Sequence, residues 1–311
     1  MTILTQQLQG DEGCYFCNAS GLEYSSKRRP VFFNVLRFFL YCNECKGLSL
    51  YPKLSTLEID IMYVSTYISD VNLEEEPYEN LNNSRFLNLE SILRNFEPRP
   101  QRKFLDYGCG ANAEAVLMAL DHHFESYGVE VEASTRAKAK DVSSCQIFSP
   151  NELLTLDLKF DCIFLGDVLE HLSEPQAELI LIHNLLSPTG FLVVQGPLEA
   201  ALTISNILIA VKARFLRSRP STQVPYHVSL ATRDSIHRAL ELSGFQIMQN
   251  TISEPFWPAP KIGTAKSLSS ISNLIFSLTK LLDIICSRII PSYGTRFFLV
   301  AKKADWELKN K

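Results

Sequence analysis

The chain has 311 residues, 46% hydrophobic and 21% charged, which is the composition of a folded globular protein and excludes a disordered one. Thirty lysines and arginines stand against 34 aspartates and glutamates, and the formal net charge of −4 argues against broad binding to nucleic acid. The length suits one α/β domain with a smaller appended module.

Met1 to Gly10 contains no basic segment followed by an apolar run, so no secretory leader is read there and a reducing cytosol is the expected compartment. In that setting the eight cysteines are expected as metal ligands or core residues. Cys14-x-x-Cys17 and Cys42-x-x-Cys45 form two knuckles that together offer four thiolates, the ligand set of a closed tetrahedral Zn²⁺ site. Such a site has no open position for water, so its expected role is structural or in recognition. Cys109, Cys145, Cys162 and Cys286 are scattered and are expected to be packing residues.

Within this N-terminal module, expected at residues 1–53, Val31 to Leu40 has strand propensity. A connector follows at 54–100. It contains the acidic run Glu74-Glu75-Glu76 and an amphipathic helix from Ser84 to Phe96, which Pro98 and Pro100 end. The main domain, expected at 101–311, alternates strands at Phe104–Tyr107, Tyr127–Val129, Gln146–Phe148, Cys162–Leu165 and Phe191–Gln195 with helices at Ala113–Leu120, Ala133–Lys140 and Gln176–Leu186. Repeated βα units imply a mostly parallel sheet with helices on both faces.

Two insertions are expected, at about 197–225 and 256–294. The first holds a helix from Glu199 to Leu216 ending in Lys212, Arg214, Arg217 and Arg219. These cations could grip an anionic acceptor or form a solvated helix end. After it, Arg233–Ser243 reads as a helix stopped by Gly244, and Phe245–Thr251 and Arg296–Lys302 as the last strands. The second insertion spaces Leu268, Ile271, Ile275, Leu278, Leu282, Ile285 and Ile289 as one helical stripe. Polar residues interrupt it too often for a spanning helix. Packing of the stripe on the domain, under a Ser-rich outer face, is favoured over contact of the helix around 267–290 with a membrane surface.

Chemistry concentrates at the carboxyl ends of the first strands. Asp106-x-Gly108-Cys109-Gly110 joins a strand to a helix through a glycine turn, where the backbone can approach a ligand and the helix offers free N–H groups. Glu130 ends the next strand about twenty residues on, where one carboxylate can hold a ribose diol. A third glycine is missing, which counts against NAD.

These segments, with Phe160 to Leu172 (which includes Gly166-Asp167-Val168-Leu169-Glu170-His171-Leu172), Leu185 to Phe191, and weaker continuations at Tyr226–Leu230 and Leu242–Phe245, resemble the class I S-adenosylmethionine-dependent methyltransferases. The resemblance covers roughly Lys103 to Gly196. It is closest to bacterial members with a VLEHL segment after the fourth strand, and a four-Cys knuckle is similar to that of many methyltransferases of cell-surface sugar and natural-product pathways.

The resemblance implies a Rossmann-like α/β fold and S-adenosylmethionine as cofactor. Gly108 and Gly110 would line its methionine part with Asp106 near the amino group, and Glu130 would take the ribose hydroxyls. Ser149 and Asn151, flanking Pro150, would lie at the adenine edge, and Gly166 with Asp167 would border the sulfonium. Asn112 stands where a glycine is usual and is expected to tolerate left-handed backbone. For a hydroxyl or acidic-carbon acceptor a general base is needed, and the candidates are His227, after the basic insertion, and His171, which could equally order its loop. The expected acceptor is a small molecule such as a sugar or a cell-envelope or natural-product precursor.

Two other functions stay open. One is an RNA or protein methyltransferase gripping its substrate with the zinc module, although Lys27, Arg28, Arg29 and Arg37 are balanced there by Asp11, Glu12 and Glu23. The other is a non-catalytic scaffold that keeps the fold. The expected location is cytoplasmic, with membrane periphery open through the 267–290 helix.

Overall fold

The structure, a computed structural model, describes residues 13–25, 31–32, 35–62, 86–96, 101–215, 226–254 and 271–304. The acidic run at 74–76, Lys27 to Arg29, Arg217, Arg219 and Leu268 lie outside them.

The N-terminal module is built from short strands: β1 (Glu23–Ser25), β2 (Val31–Phe32), β3 (Val35–Leu36), β4 (Phe38–Tyr41) and β5 (Leu48–Tyr51), followed by α1 (Thr56–Ile61). The Phe-rich stretch is thus divided into three strands. Its two knuckles repeat one geometry. The Asn18 and Lys46 amides donate back to the Cys14 and Cys42 carbonyls at 2.8 and 2.9 Å, and both residues adopt left-handed backbone, φ 56° and 66°. Arg37 is buried and not a surface cation. Its guanidinium binds the Glu58 carboxylate at 2.5 Å and the Pro52 carbonyl at 3.1 Å, which corrects its counting among the basic knuckle surface.

Helix α2 (Leu87–Arg94) buries Leu89 and Leu93, as its apolar spacing requires. The main sheet is made of β6 (Lys103–Tyr107), β7 (Glu125–Val129), β8 (Gln146–Phe148), β9 (Phe160–Gly166), β10 (Leu186–Pro197), β12 (Phe245–Ser253) and β13 (Arg296–Lys303) in the order β12-β13-β10-β9-β6-β7-β8. Every described pairing from β8 to β10 is parallel, and β13 alone runs against its neighbours. Helices α3 (Glu114–Asp121), α4 (Ala133–Ser143), α5 (Pro150–Leu154), α6 (Pro175–Leu185) and α8 (Arg233–Leu242) connect the strands, and α7 (Ile204–Phe215) follows β10. The central strands read as near-continuous apolar runs because helices cover both faces. Phe104, Leu105, Ile163, Leu165, Val193 and Val194 are all buried.

The module is joined to this sheet's rim. Strand β11 (Ser229–Leu230), which comes from the main domain, pairs antiparallel with β5, so the module's sheet runs β1-β4-β5-β11. The Thr232 hydroxyl donates to the Cys45 carbonyl at 3.1 Å, and the Gln176 amide to the Phe16 carbonyl at 2.9 Å. Cys14, Phe16, Cys42 and Cys45 pack in the same apolar cluster as Leu240 and Leu179.

Helix α9 (Ile271–Ile289) overturns one expectation. Its apolar residues Ile275, Leu278, Leu282, Ile285 and Ile289 face outward, with Ile289 73% exposed, while Ser277, Thr279, Lys280 and Asp283 are buried. Paired charges explain the inversion. Lys280 binds the Glu254 carboxylate, and Asp283 accepts the Ile204 and Ser205 amides at 3.0 and 3.2 Å, capping α7 from a neighbouring helix. No helix among the described residues is long and apolar enough to cross a membrane.

Candidate functional site

The glycine turn after β6 is stitched to the end of β7: the Gly108 and Cys109 amides both donate to the Val129 carbonyl, at 2.9 and 3.0 Å. Gly108 has φ +94°, and a Cβ there would meet Val168 Cγ2 at 2.6 Å, so only glycine fits between the turn and the loop after β9. Gly110 has φ +62°, and none of the described residues comes within 4 Å of where its Cβ would stand. The left-handed residue closing the turn is Ala113, φ 47°, and not Asn112. The special position falls one residue later than the sequence suggested, because Ala113 precedes the first helical residue of α3. With no side-chain cap on Ala113, the first amides of α3 face the turn.

Asp106 is buried at the end of β6. Glu130 accepts the Gly110 amide through Oε2 and the Glu132 amide through Oε1, both at 3.1 Å. Burial raises its pKa against those two bonds. Ser149 acts as a helix cap for α5: its hydroxyl accepts the Glu152 amide at 3.3 Å, and its own amide donates to the Glu152 carboxylate at 2.6 Å. Asn151 is exposed in the first turn of α5.

On the other side of the turn, Gly166 ends β9, and its missing Cβ would strike the Phe164 ring at 2.6 Å. Asp167 takes left-handed backbone, φ 59°, donates its amide to the Gln195 carbonyl at 3.0 Å and pairs its carboxylate with Arg296. A 3₁₀ turn, Leu169–His171, follows. His171 and His227 meet edge to face, ring centroids 4.9 Å apart. His171 Nδ1 lies 2.8 Å from the Tyr226 carbonyl, and His227 Nδ1 lies 2.6 Å from the Glu199 carboxylate. Burial first, and then His227, lowers the His171 pKa to about 4, so this imidazole is neutral at physiological pH. Burial, and then the Asp167 charge, raises Glu170.

Three loops therefore converge at the carboxyl ends of β9 and β10, where open α/β sheets bind ligands. The structure brings both predicted histidines together with Asp167, on the side of the glycine turn that Val168 touches. Sequence inspection missed the roles of Glu170, Glu199 and Arg296. Glu170 was legible as the acid next to His171, whereas Glu199 and Arg296 carry no local signal. An open groove of about 910 Å³ runs elsewhere, between Tyr24, Leu48, Thr203, Thr232 and Tyr293, and none of the residues assigned to cofactor or catalysis lines it.

In the knuckles, the Cys14 and Cys45 sulfurs are 3.5 Å apart, those of Cys17 and Cys42 are 3.6 Å apart, and all four lie within 4.8 Å of one another. A tetrahedral Zn²⁺ with Zn–S bonds of about 2.3 Å needs sulfurs about 3.8 Å apart, so the four residues fit the ion. The Cys45 hydrogen bond lowers the Cys14 thiol, and Cys45 is raised in return.

The model of a family described as a methyltransferase domain matches residues 81–250. The chain belongs to that family. It is an S-adenosylmethionine-dependent methyltransferase of class I. Among solved structures, a SAM-dependent methyltransferase from Archaeoglobus fulgidus is similar at 17% identity and a TM-score of 0.51, covering 76% of this chain and 100% of that one. This likeness bears on the fold alone. An S-adenosylmethionine-dependent methyltransferase from Mesorhizobium loti is 16% identical, with a TM-score of 0.44, over 73% of this chain and 100% of its own. No curated protein matches the methyltransferase.

Proposed function

We propose that this methyltransferase methylates a small, hydroxyl-bearing acceptor, such as a sugar or another cell-envelope or natural-product precursor, over the polar floor formed by Asp167, Glu170, His171 and His227. The observation that carries this is the convergence of those four residues beside the Gly108 turn. S-adenosylmethionine, when bound, supplies the activated methyl group on its sulfonium.

The chain's own residues do the rest. Asp106, Gly108 and Gly110 form the seat for the cofactor's methionine part, and the open space over Gly110 is the room it requires. Glu130 is the ribose acceptor, already oriented by the Gly110 and Glu132 amides. Gly166 and Asp167 border the reacting centre. Ser149 and Asn151 serve the adenine edge, Ser149 through its backbone because its hydroxyl is used as a cap. His171 and His227 receive the acceptor's nucleophilic atom, so that alignment with the methyl group supplies most of the rate.

Cys14, Cys17, Cys42 and Cys45 hold a structural Zn²⁺ that braces the module against this floor. Burial of Arg37 removes one cation from the knuckle surface and weakens the alternative of a macromolecular substrate. The methyltransferase works in the cytoplasm, at the membrane periphery, where the outward apolar face of α9 rests on lipid.

Isothermal titration with S-adenosylmethionine and its demethylated product, with zinc measured on the same sample, tests the core of this. Micromolar binding and about one zinc per chain support it, and a panel of nucleotide sugars then searches for the acceptor. Zinc without cofactor binding would favour a non-catalytic scaffold.

A further inference from the structure

We propose that Glu170, His171 and His227 bind one divalent first-row transition cation that holds the acceptor's hydroxyl; this rests on the acceptor position argued above. The ligating atoms of the three residues lie within 4.8 Å of one another. Two imidazoles and one carboxylate form a set that suits Mn²⁺, Fe²⁺, Co²⁺ or Zn²⁺ and leaves coordination positions open. Bonds of about 2.0–2.2 Å put such ligand atoms roughly 3–3.5 Å apart, which small side-chain rotations reach.

The way the imidazoles are held separates this trio from a chance meeting of polar groups. A carbonyl can only accept, so the 2.8 Å contact with Tyr226 puts the hydrogen of His171 on Nδ1 and the lone pair on Nε2, the nitrogen that would ligate a cation. The Glu199 carboxylate does the same for His227 at 2.6 Å. An outer carbonyl or carboxylate that fixes the tautomer and raises ligand basicity is the usual support of a metal-bound histidine. Both supports come from loops around β10 and β11, so neither imidazole depends on the other for its orientation.

Charge points the same way. Glu170 is only 6% exposed and lies near Asp167. The Arg296 charge reaches Glu170 but pairs directly with Asp167, and among the described residues no Lys or Arg forms an ion pair with Glu170 itself. A buried carboxylate is costly unless a cation faces it, and a dication between Glu170 and the imidazoles meets that need.

The cation lowers the pKa of an acceptor hydroxyl, which then loses its proton to water without a histidine acting as base. The acceptor oxygen forms the O–CH₃ bond as the S–CH₃ bond breaks, and the bonding pair leaves on sulfur. The substrate class that follows is a hydroxyl flanked by a second oxygen able to chelate.

Titration of the zinc-loaded, full-length protein with Mn²⁺, followed by electron paramagnetic resonance, tests the site, because Mn²⁺ avoids the thiolate cluster. One Mn²⁺ per chain is expected, with imidazole nitrogen coupling in the pulsed spectrum of the wild type. Affinity should fall at least tenfold in Glu170→Gln and His227→Gln, and about 10–100-fold in Glu199→Gln, which removes only the outer partner. Absence of nitrogen coupling, or affinity unchanged in all three variants, overturns the site. Cofactor titration on the same samples keeps the two proposals apart: a protein that binds S-adenosylmethionine but not Mn²⁺ sinks the metal site alone, and one that binds Mn²⁺ but no cofactor sinks the methyl-transfer assignment of the pocket.

Discussion

The Leu50 amide donates to the Val228 carbonyl at 2.9 Å, and the Val228 amide in turn donates to the Glu170 carbonyl at 2.8 Å. The last strand of the cysteine module is thereby one hydrogen-bonded step from the acceptor floor. His227 sits at the start of that connection, next to Val228.

Removal of the knuckle metal should therefore damage the whole protein and not only its N-terminus. Calorimetry of chelated protein is expected to show one cooperative transition, lowered by about 10 °C or more, since each kcal/mol lost moves a domain of this size by about 2–4 °C. Two separate transitions would mean that the β5–β11 pairing is too weak to couple module and sheet.

Glu130 is expected to carry a large share of cofactor affinity. Glu130→Ala removes both the ribose acceptor and the partner of the Gly110 and Glu132 amides. Binding of S-adenosylmethionine should weaken by about 1–3 kcal/mol in titration calorimetry. Unchanged affinity would show that the ribose lies elsewhere.

The two glycines of the turn should respond differently. Gly108→Ala forces a Cβ to 2.6 Å from Val168, and its φ of +94° strains any L-residue, so a stability loss of about 2 kcal/mol or more is expected from chemical denaturation. Val168→Ala in the same chain should restore part of it. Gly110→Ala meets open space and should cost only the backbone term of about 1–2 kcal/mol, while weakening cofactor binding because its methyl occupies the proposed seat. Equal effects of the two substitutions on cofactor affinity and stability would contradict this division.

These assignments differ in how far the sequence foretold them. The parallel sheet was legible because strands such as Cys162–Leu165 are apolar on both faces and helices such as Arg233–Leu242 have clear caps. The glycine turn at Gly108 and Gly110, and an acid at the end of the next strand beside it, were legible because the backbone constrains them locally, and the Glu130 contact with the Gly110 amide is the structural part of that reading. The pairing of Ser229 with Ser49, across 180 residues of chain, has no local signature. Helix α9 misled for a physical reason: periodicity shows that one face is apolar but not which face turns inward. The partners that decide it, Glu254 and the start of α7, are remote in sequence.

His171 has a pKa depressed from 6.5 to about 4, so it binds its proton more weakly when folded than when unfolded. Its contribution to stability is complete above about pH 6.5 and is lost progressively as the pH falls through 4. Denaturation midpoints measured between pH 7 and pH 4 should fall in the wild type and fall less steeply in His171→Gln. Parallel profiles would show that this imidazole is not held neutral by burial.

The outward stripe of α9 should mediate contact with lipid. Leu278, Leu282 and Ile285 are each about half exposed, so transfer of each onto a bilayer contributes about 1 kcal/mol. Replacing all three by serine is expected to reduce sedimentation with anionic vesicles about 100-fold while leaving the melting temperature within a degree or two, because the buried contacts of Lys280 and Asp283 remain. A large drop in melting temperature with no change in vesicle binding would mean that the stripe is covered by protein in solution.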